Sequence, residues 1–509
     1  MRQIAIAALA ALTIATPIQA KPRSAKPPRP DTAQAAAATQ DAARYLEAIR
    51  RLDDDPAGPQ LNAVITFNAD APRLAGEQAA TGRLRGRTVL VKDNIETREF
   101  ATTAGSLALA DNRTGRDAPL VARLRAEGGV VLGKTNLSEW ANIRGSRSSS
   151  GWSGVGGQTR NPHAIDRNPC GSSSGSGAAI AAGMAWGAIG TETDGSITCP
   201  ASANGIVGFK PTVGLVSRTH VIPISASQDT AGPMTRTVAD AALLLSAIAG
   251  SDPADPATAE ADKHKTDFTA GLANASLKGV RIGVLIRQSG PHAGINRLFD
   301  QAQADMVVAG AILVPIDYDP PAEMFRDEGL VLRYELKQGL NAYLAGLPGS
   351  PKVRSLSDVI AFNKATPEEL RWFGQDTFEA ANKLEDRAAY EKARANSLRL
   401  AGSEGIDKLL ADNKVAFLIA PTEGPAWPID LVTGDHFLPV GAGSLAAVAG
   451  YPHLTVPMGA VETLPVGLSF IGAKWADKSV LEAGAAYERA RTATVAEPRF
   501  QRWEQTIQK

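Results

Sequence analysis

The sequence predicts an α/β fold in which a β-sheet is covered by helices on both faces. Short runs of β-branched and apolar residues alternate along the chain with helical patterns. These runs lack the apolar/polar alternation of half-exposed strands, which indicates strands covered on both faces. The 509 residues, 44% of them hydrophobic, can form a sizeable core, and their number allows one to three domains.

The N-terminal residues predict an export signal. Arg2 is a short positive segment, Ile4–Ile14 is an apolar stretch of signal-peptide length, and Pro17–Ala20 offers small residues for cleavage. The stretch is too short to span a bilayer as a stable helix. We therefore expect residues 1–20 to be removed and the mature protein to be exported, to the bacterial periplasm or beyond, without membrane attachment. A disordered or docked N-terminal arm is the alternative interpretation.

Residues 21–40 are predicted to be a Pro/Ala-rich linker. Four prolines between Lys21 and Asp31 fix φ and remove backbone donors, which excludes regular structure there. Folding is expected to begin near Asp41, where apolar residues recur at helical spacing. One folded domain, 41–509, follows without a second low-complexity break. Its charged segment at about residues 327–405 is expected to form a helical section at one edge.

The elements of the domain follow from the apolar runs in chain order. The chain has five strand-like runs: Arg87–Val91, Val130–Gly133, Val280–Ile286, Ala311–Asp317 and Ala416–Pro421. An amphipathic helix is expected from Ala118, and the small-residue stretch Gly177–Gly190 predicts a helix followed by a strand. Lys92 then stands where the first strand ends.

Composition excludes several classes of function. The 53 basic and 53 acidic residues cancel, so no long-range field favours nucleic acid or an anionic membrane. The six histidines show no HExxH motif or paired ligand spacing, so no metal site is predicted, and no cofactor is expected. The two cysteines, Cys170 and Cys199, allow a disulfide in an exported protein, although two buried free thiols explain them equally well.

Two short motifs match known patterns without the required context. Gly128–Thr135 satisfies the phosphate-loop pattern G-x-x-x-x-G-K-[ST], but its variable positions hold strand-forming residues, which favours a strand followed by a turn. Gly171–Gly175 matches the nucleophile elbow G-x-S-x-G at Ser173. No strand precedes that elbow, and no later histidine has a recognisable context, so neither motif is expected to carry the chemistry.

Two loops are better candidates for the chemistry. Gly171–Gly177 is a Ser/Gly tract, a composition that usually marks a flexible linker, and Gly190–Ser202 follows a strand-like run. The first loop enters a buried-looking helix, so both loops are anchored in the core. Successive small residues can direct several backbone N–H groups at one point, as a tetrahedral oxyanion requires.

Together with Lys92, these loops resemble the amidase signature family, hydrolases of amide C–N bonds that use a Ser-Ser-Lys triad. The family's K-D-N motif is matched by Lys92–Asn94, its GGSSGG loop by Cys170–Gly175, and its G-T-D-x-G-G-S segment by Gly190–Ser196. The resemblance covers about residues 61–490. It implies a single large domain with a central mixed β-sheet.

The resemblance also assigns roles to residues. Ser196 is the implied nucleophile, Ser172 the implied proton relay, preceded by a cis peptide bond, and Lys92 the implied base. A lysine serves as a base only when neutral, and burial at a strand end would lower its pKa. The oxyanion is expected to be held by four consecutive backbone N–H groups, those of Thr193, Asp194, Gly195 and Ser196.

The chain departs from the family pattern near the triad. Cys170 and Ser174 replace glycines, Glu192 replaces aspartate, and Thr193 and Asp194 replace an apolar residue and glycine. These departures leave the three triad residues in place.

Segments around the triad look most similar to bacterial peptide amidases, which implies hydrolysis of the C-terminal amide of peptides or amino-acid amides, with release of ammonia through an acyl-enzyme. A broad-specificity aryl or aliphatic amidase is the nearest alternative. An amidotransferase subunit is a further one, but such subunits work in a cytosolic complex. A catalytically inactive binding protein would be expected to lack part of the triad.

A monomer or homodimer is expected. Four residues are predicted to line the substrate site: Gly145, Ser146, Phe373 and Gln375.

Overall fold

The computed structural model describes residues 31–507. The strands are β1 (Val64–Phe67), β2 (Thr88–Lys92), β3 (Val130–Thr135), β4 (Trp152–Ser153), β5 (Gly157–Gln158), β6 (Gly187–Glu192), β7 (Val207–Lys210), β8 (Thr230–Thr235), β9 (Arg281–Leu285), β10 (Ile312–Ile316), β11 (Phe417–Pro421), β12 (His453–Val461) and β13 (Leu464–Ile471). The helices are α1 (Thr32–Ile49), α2 (Ala71–Gln78), α3 (Pro119–Ala126), α4 (Ser174–Ala181), α5 (Thr198–Ala203), α6 (Val238–Ile248), α7 (Ala261–His264), α8 (Ala293–Val308), α9 (Ala322–Ala345), α10 (Leu356–Ala365), α11 (Asp376–Asn382), α12 (Arg387–Ala401), α13 (Asp407–Asn413), α14 (Gly443–Ala449), α15 (Asp477–Ala490) and α16 (Trp503–Ile507).

Eleven of these strands form one sheet, in the order β1-β3-β2-β6-β8-β7-β12-β13-β11-β9-β10, while β4 and β5 form a separate hairpin. β2 is parallel to β3 and β6, and β9 is parallel to β10 and β11. The strands between β6 and β11 pair antiparallel. The expected mixed sheet is confirmed.

Helices cover both faces of the sheet, as expected. Side chains alternate along a strand, so Val89 and Val91 of β2 join one core cluster and Leu90 joins another. The first cluster packs against α3, α6, α8 and α15, and the second against α1, α2 and α4. The strands at the other end of the sheet are covered by α14 and its neighbours. This packing explains the uninterrupted apolar runs.

The fold begins earlier than the predicted boundary near Asp41. Helix α1 starts at Thr32, where the Asp31 side chain accepts a hydrogen bond from the backbone N–H of Ala33. Residues 32–40 therefore belong to a helix, and the predicted linker 21–40 is wrong for this part. The prolines end at residue 30, and the alanines that follow have the highest helix propensity. The alanine content of this segment is thus a helix signal and not a linker signal.

The charged segment at about 327–405 contains most of α9 and all of α10, α11 and α12. Its apolar residues pack against the loops that follow β2 and β3, in a cluster that includes Ala104, Ala108 and Trp140. These loops lie at the carboxyl ends of two parallel strands, where Lys92, the base that the resemblance implies, also stands. The helical section therefore borders the site described below.

The predicted signal segment, residues 1–20, lies outside the described residues. Between residues 31 and 507, no helix is both long and apolar enough to cross a membrane. Over the same range, no group of three or more His, Cys, Asp or Glu side chains is arranged to hold a metal ion.

Candidate active site

Lys92 is the last residue of β2, and its side chain is completely buried. Its Nζ donates to Ser172 Oγ at 2.8 Å, to Thr191 Oγ1 at 2.8 Å and to the Thr191 carbonyl at 3.2 Å. Burial lowers the pKa of Lys92 to about 7, against the opposing charges of Asp229 and Glu192. A neutral amine is therefore available near pH 7, within hydrogen-bond distance of a serine hydroxyl.

Ser172 lies in the loop before α4, and the Gly171–Ser172 peptide bond is cis, as the resemblance implied. The Ser172 carbonyl accepts a hydrogen bond from Ser138 N at 3.0 Å. The next residue joins the two serine loops, because Ser173 N donates to the Ser196 carbonyl at 3.1 Å. The structure thus brings the predicted Lys92, Ser172 and Ser196 segments together from three separate parts of the chain.

Ser196 lies in the short turn between β6 and α5, and its side chain is almost fully buried. Gly195 has φ of +76°, a left-handed conformation that favours glycine at this turn. Beyond Ser196, Glu192 Oε2 accepts the backbone N–H groups of Ile197 and Thr198 at 2.8 and 3.0 Å. The carboxylate that replaces the family's aspartate therefore binds the first N–H groups at the start of α5.

Four backbone N–H groups precede this contact, those of Thr193, Asp194, Gly195 and Ser196. None of them donates a hydrogen bond to another group within residues 31–507. All four residues line one cavity. Buried N–H groups are nearly always paired, so four unpaired ones in succession are unusual. An oxyanion site requires such free donors.

The cavity has a volume of about 410 Å³, a size typical of small-ligand sites. Its apolar walls include Ile143, Ile224, Leu332 and Phe437. Its remaining lining residues are Ala141, Asn142, Cys170, Gly171, Thr193, Asp194, Gly195, Ser196, Cys199, Glu423 and Ser444. Ser196 and the three residues before it therefore line a space that can hold a small substrate.

Cys170 and Cys199 form a disulfide, which answers the question that the sequence left open. Cys170 lies two residues before Ser172, and Cys199 lies three residues after Ser196. The bond therefore ties together the two serine loops at the cavity wall.

Two residues near the triad were missed by sequence reasoning. Thr191 accepts hydrogen bonds from Lys92 Nζ and from Asn94 Nδ2, the latter at 2.9 Å. Asp229 Oδ1 accepts a hydrogen bond from the Thr193 hydroxyl at 2.6 Å, and burial raises the pKa of Asp229. Thr191 lies in the Gly190–Ser196 segment and Asp229 lies elsewhere in the matched region, but no local pattern distinguishes them from ordinary strand or loop residues.

This cavity is not lined by any of the four predicted substrate-wall residues, Gly145, Ser146, Phe373 and Gln375. Phe373 is buried, with its ring centroid 4.3 Å from Cζ of Arg144. Gln375 is also buried and accepts a hydrogen bond from Asn363 Nδ2 at 3.0 Å. Gly145 and Ser146 contact the segment at the start of α11. Their assignment to the substrate site therefore finds no support in this cavity and stays a prediction.

The two rejected motifs also have structural roles. Gly133, Lys134 and Thr135 of the phosphate-loop match lie in β3, and the Lys134 ammonium is buried 3.0 Å from Asp93 Oδ1. In the elbow match, the Ser173 hydroxyl is buried and bonds to the backbone of Thr191. Neither side chain is available as a ligand or a nucleophile.

Comparison with known proteins decides the family. The model of the amidase family matches residues 47–481. The chain belongs to this family. A probable amidase from Arabidopsis thaliana is 38% identical over 469 residues, covering 88% of this chain and 85% of the relative. The resemblance to amidase signature enzymes is confirmed, and amide C–N bonds are the bonds on which this protein acts.

Solved structures of family members share the fold. The peptide amidase from Stenotrophomonas maltophilia is 49% identical with a TM-score of 0.86, covering 91% of this chain and 95% of that chain. A complex of the peptide amidase PAM with the competitive inhibitor chymostatin has a TM-score of 0.87 at 50% identity, covering 91% and 96%. Among sequence relatives, a glutamyl-tRNA(Gln) amidotransferase subunit from Halothermothrix orenii is 33% identical, over 86% of this chain and 91% of the relative.

Proposed function

We propose that this amidase hydrolyses the C-terminal carboxamide of peptides or amino-acid amides and releases ammonia. The observation that carries the mechanism is the 2.8 Å hydrogen bond from buried Lys92 to Ser172, beside the cavity that Ser196 faces. The likeness to the Stenotrophomonas peptide amidase, at 49% identity over nearly the whole chain, supports the choice of peptide amides.

In the acylation step, neutral Lys92 accepts the proton of Ser172, which in turn accepts the proton of Ser196. The freed Ser196 Oγ forms a bond to the amide carbon, and the carbonyl oxygen becomes an oxyanion. The unpaired N–H groups from Thr193 to Ser196 stabilise that charge. Lys92 then returns its proton through Ser172 to the departing nitrogen, the C–N bond breaks, and ammonia leaves.

In the deacylation step, water attacks the ester on Ser196. Its proton passes to Ser172 and Lys92, and the same N–H groups hold the second oxyanion. Collapse of this intermediate breaks the bond between the acyl carbon and Ser196 Oγ. The proton returns to Ser196, and the product leaves as a carboxylic acid that ionises in water.

The test is ammonia release by the purified protein from an N-blocked dipeptide amide, beside an aromatic carboxamide and glutamine. We expect selective turnover of the peptide amide, and Ser196→Ala and Lys92→Ala should each abolish it. Turnover of the aromatic amide alone would instead indicate an aryl amidase, and turnover of glutamine alone would indicate an amidotransferase component. Full activity of Ser196→Ala would contradict the mechanism itself.

We also propose that the protein is exported. The order of Arg2, Ile4–Ile14 and Ala20 supports export, and so does the Cys170–Cys199 disulfide, because disulfides persist mainly in oxidising compartments. Expression of the full chain in a bacterium, followed by cell fractionation and N-terminal sequencing, tests this proposal. The expected product is an extracytoplasmic protein that begins near Lys21. An intact N-terminus in the cytoplasm would contradict export.

A further inference from the structure

The side chains that can carry charge in the wall of the active-site cavity are acidic. Asp194 and Glu423 line the cavity, and no arginine, lysine or histidine stands among the lining residues of the described chain. Asp194 and Ser196 both line the cavity, and the Asp194 carboxyl group bonds to Ser444, a third lining residue. An acidic wall at this place is not required by the Ser-Ser-Lys chemistry.

Neighbouring groups hold the Asp194 carboxylate in place. Ser444 Oγ donates to Asp194 Oδ2 at 2.7 Å, and the carboxyl group of Glu328 on α9 interacts with the same carboxyl group and lowers its pKa. Glu328 is itself held by Gln228 Nε2, which donates to its Oε1 at 2.8 Å. Burial and the nearby Asp194 charge raise the pKa of Glu328 to about 9, so Glu328 is protonated and neutral at pH 7.

The protonation of the wall follows from burial. Burial raises the pKa of Asp194 to about 6 and that of Glu423 to about 8. Lys210 is buried nearby and does not line the cavity. Burial lowers the pKa of Lys210 to about 8, against the charges of Glu192, Asp477 and Asp194. At pH 7 to 8 Asp194 is therefore ionised. The negative charge of the cavity wall increases further as Glu423 ionises.

We propose that Asp194 and Glu423 make this cavity select amides whose neighbouring side chain is basic, of the lysine or arginine type, over neutral or acidic ones. The inference rests on the proposed function and narrows its substrate class. Apolar walls at Ile224 and Leu332 can contact the alkyl stem of such a side chain while its cationic end meets the carboxylates. In a partly dehydrated cavity, charge complementarity of this kind discriminates strongly between ligands.

The experiment compares three amides that differ chiefly in side-chain charge: N-acetyl-lysinamide, N-acetyl-norleucinamide and N-acetyl-glutamic acid α-amide. At pH 8, we expect kcat/KM to be about tenfold higher for the lysine substrate than for norleucine, and lowest for the glutamate substrate. Asp194→Asn should reduce the lysine preference most, and Glu423→Gln should reduce it partly. Glu323→Gln, which removes a carboxylate from an exposed position on α9, should retain the full preference.

The pH dependence separates a charge effect from a structural one. The lysine preference should increase from pH 6 to 8.5 as Asp194 and then Glu423 ionise, and Glu423→Gln should lose the increase near pH 8. A general loss of structure would lower all three rates without changing their ratio. Equal kcat/KM for the lysine and norleucine substrates, or a preference for glutamate, would overturn the inference.

A binding measurement distinguishes this inference from the proposed function. In Ser196→Ala, calorimetric titration with the same three amides reports charge preference without turnover. If the wild-type protein turns over none of the amides, the proposed function fails. Tighter binding of the lysine amide to Ser196→Ala would then still support the selection of basic side chains by the acidic wall. Equal affinity for all three amides would contradict it.

Discussion

At the scale of single residues, the environment of Lys92 determines when the site can act. Its Nζ is buried among Ser172 and Thr191 and has no carboxylate within salt-bridge distance in the described chain. The desolvation cost therefore outweighs the more distant attraction of Asp229 and Glu192, and the amine loses its proton near pH 7. A lysine paired closely with an aspartate would remain charged and could not accept a proton.

This environment predicts a pH profile. Lys92 is active when neutral, so kcat/KM should rise with pH through about 7 and level off above it. The pH dependence of kcat/KM, measured with a substrate that has no titrating group in this range, checks this. Activity that falls as pH rises through 7 would contradict a neutral lysine base.

Thr191 is predicted to be a positioning residue for Lys92. Thr191→Val keeps the shape but removes the hydroxyl that accepts from Lys92 Nζ and Asn94 Nδ2, so we expect kcat to fall by about tenfold or more. The matched control, Thr191→Ser, retains the hydroxyl and should retain most activity. A pH profile of both variants tests the role, since only the valine variant should shift the midpoint assigned to Lys92. Wild-type kcat in the valine variant would exclude the role.

At the scale of elements, the start of α5 depends on one carboxylate. Glu192 Oε2 accepts hydrogen bonds from the backbone N–H groups of Ile197 and Thr198, immediately after Ser196, the proposed nucleophile. Glu192→Ala should therefore lower the free energy of unfolding by about 1–2 kcal/mol and reduce kcat, because Ser196 loses its fixed position.

Glu192→Gln is the matched control for this contact, since its amide oxygen can still accept one or both N–H groups. We expect it to lose less stability than the alanine variant in urea titrations followed by circular dichroism. Equal stability of the alanine variant and the wild type would show that the contact does not stabilise α5.

The disulfide is the second device at this scale. It closes a loop with a sequence separation of 29 and joins the loop of Ser172 to α5. Replacing both cysteines by serine should lower the free energy of unfolding by about 2–4 kcal/mol. Because Cys170 and Cys199 also line the cavity, kcat should fall as well.

Dithiothreitol gives an independent comparison. It should lower the stability and the activity of the wild type toward those of the double variant, and leave the variant unchanged. A reductant effect on the variant itself would assign the loss to something other than this bond.

At the scale of the whole molecule, the sheet assembles the site. β2 and β6 are adjacent and parallel, so Lys92 and Thr191 meet at the same edge of the sheet although 99 residues separate them. α4 lies between these strands in the chain and brings Ser172 to the same edge. The helical section adds Leu332 and Glu328 from α9.

Helix α1 belongs to this assembly. Its buried Ala42, Leu46 and Ile49 join the core cluster of α2 and α4, next to the Ser172 loop. A chain that begins at residue 31 should keep full activity and Tm. A chain that begins at residue 51 should lose more than about 5 °C in Tm or become insoluble, because several fully buried apolar side chains are removed. Equal Tm by calorimetry would show that α1 is dispensable.

Local patterns in the sequence predict the strands that carry the site, whereas the roles of Lys92, Ser172 and Ser196 come from the resemblance to the amidase signature family and stay predictions. Apolar runs are local signals, because a strand covered on both faces needs β-branched residues wherever it lies. The Ser/Gly composition of the two serine loops is also a local signal, since tight turns and unpaired N–H groups need small residues. The alanines of α1 are an equally local helix signal, and the linker prediction is wrong there because it rested on composition and not on propensity.

The surroundings of the triad depend instead on contacts that only the folded chain makes. The Cys170–Cys199 bond, the support of Lys92 by Thr191 and the acidic wall of Asp194 and Glu423 join residues distant in sequence. No local pattern records such partners, because each depends on where the sheet and the helical section bring other segments. Phe373 shows the same limit, since it is buried and does not line the cavity, and an aromatic residue has the same local signal in a core and in a cavity.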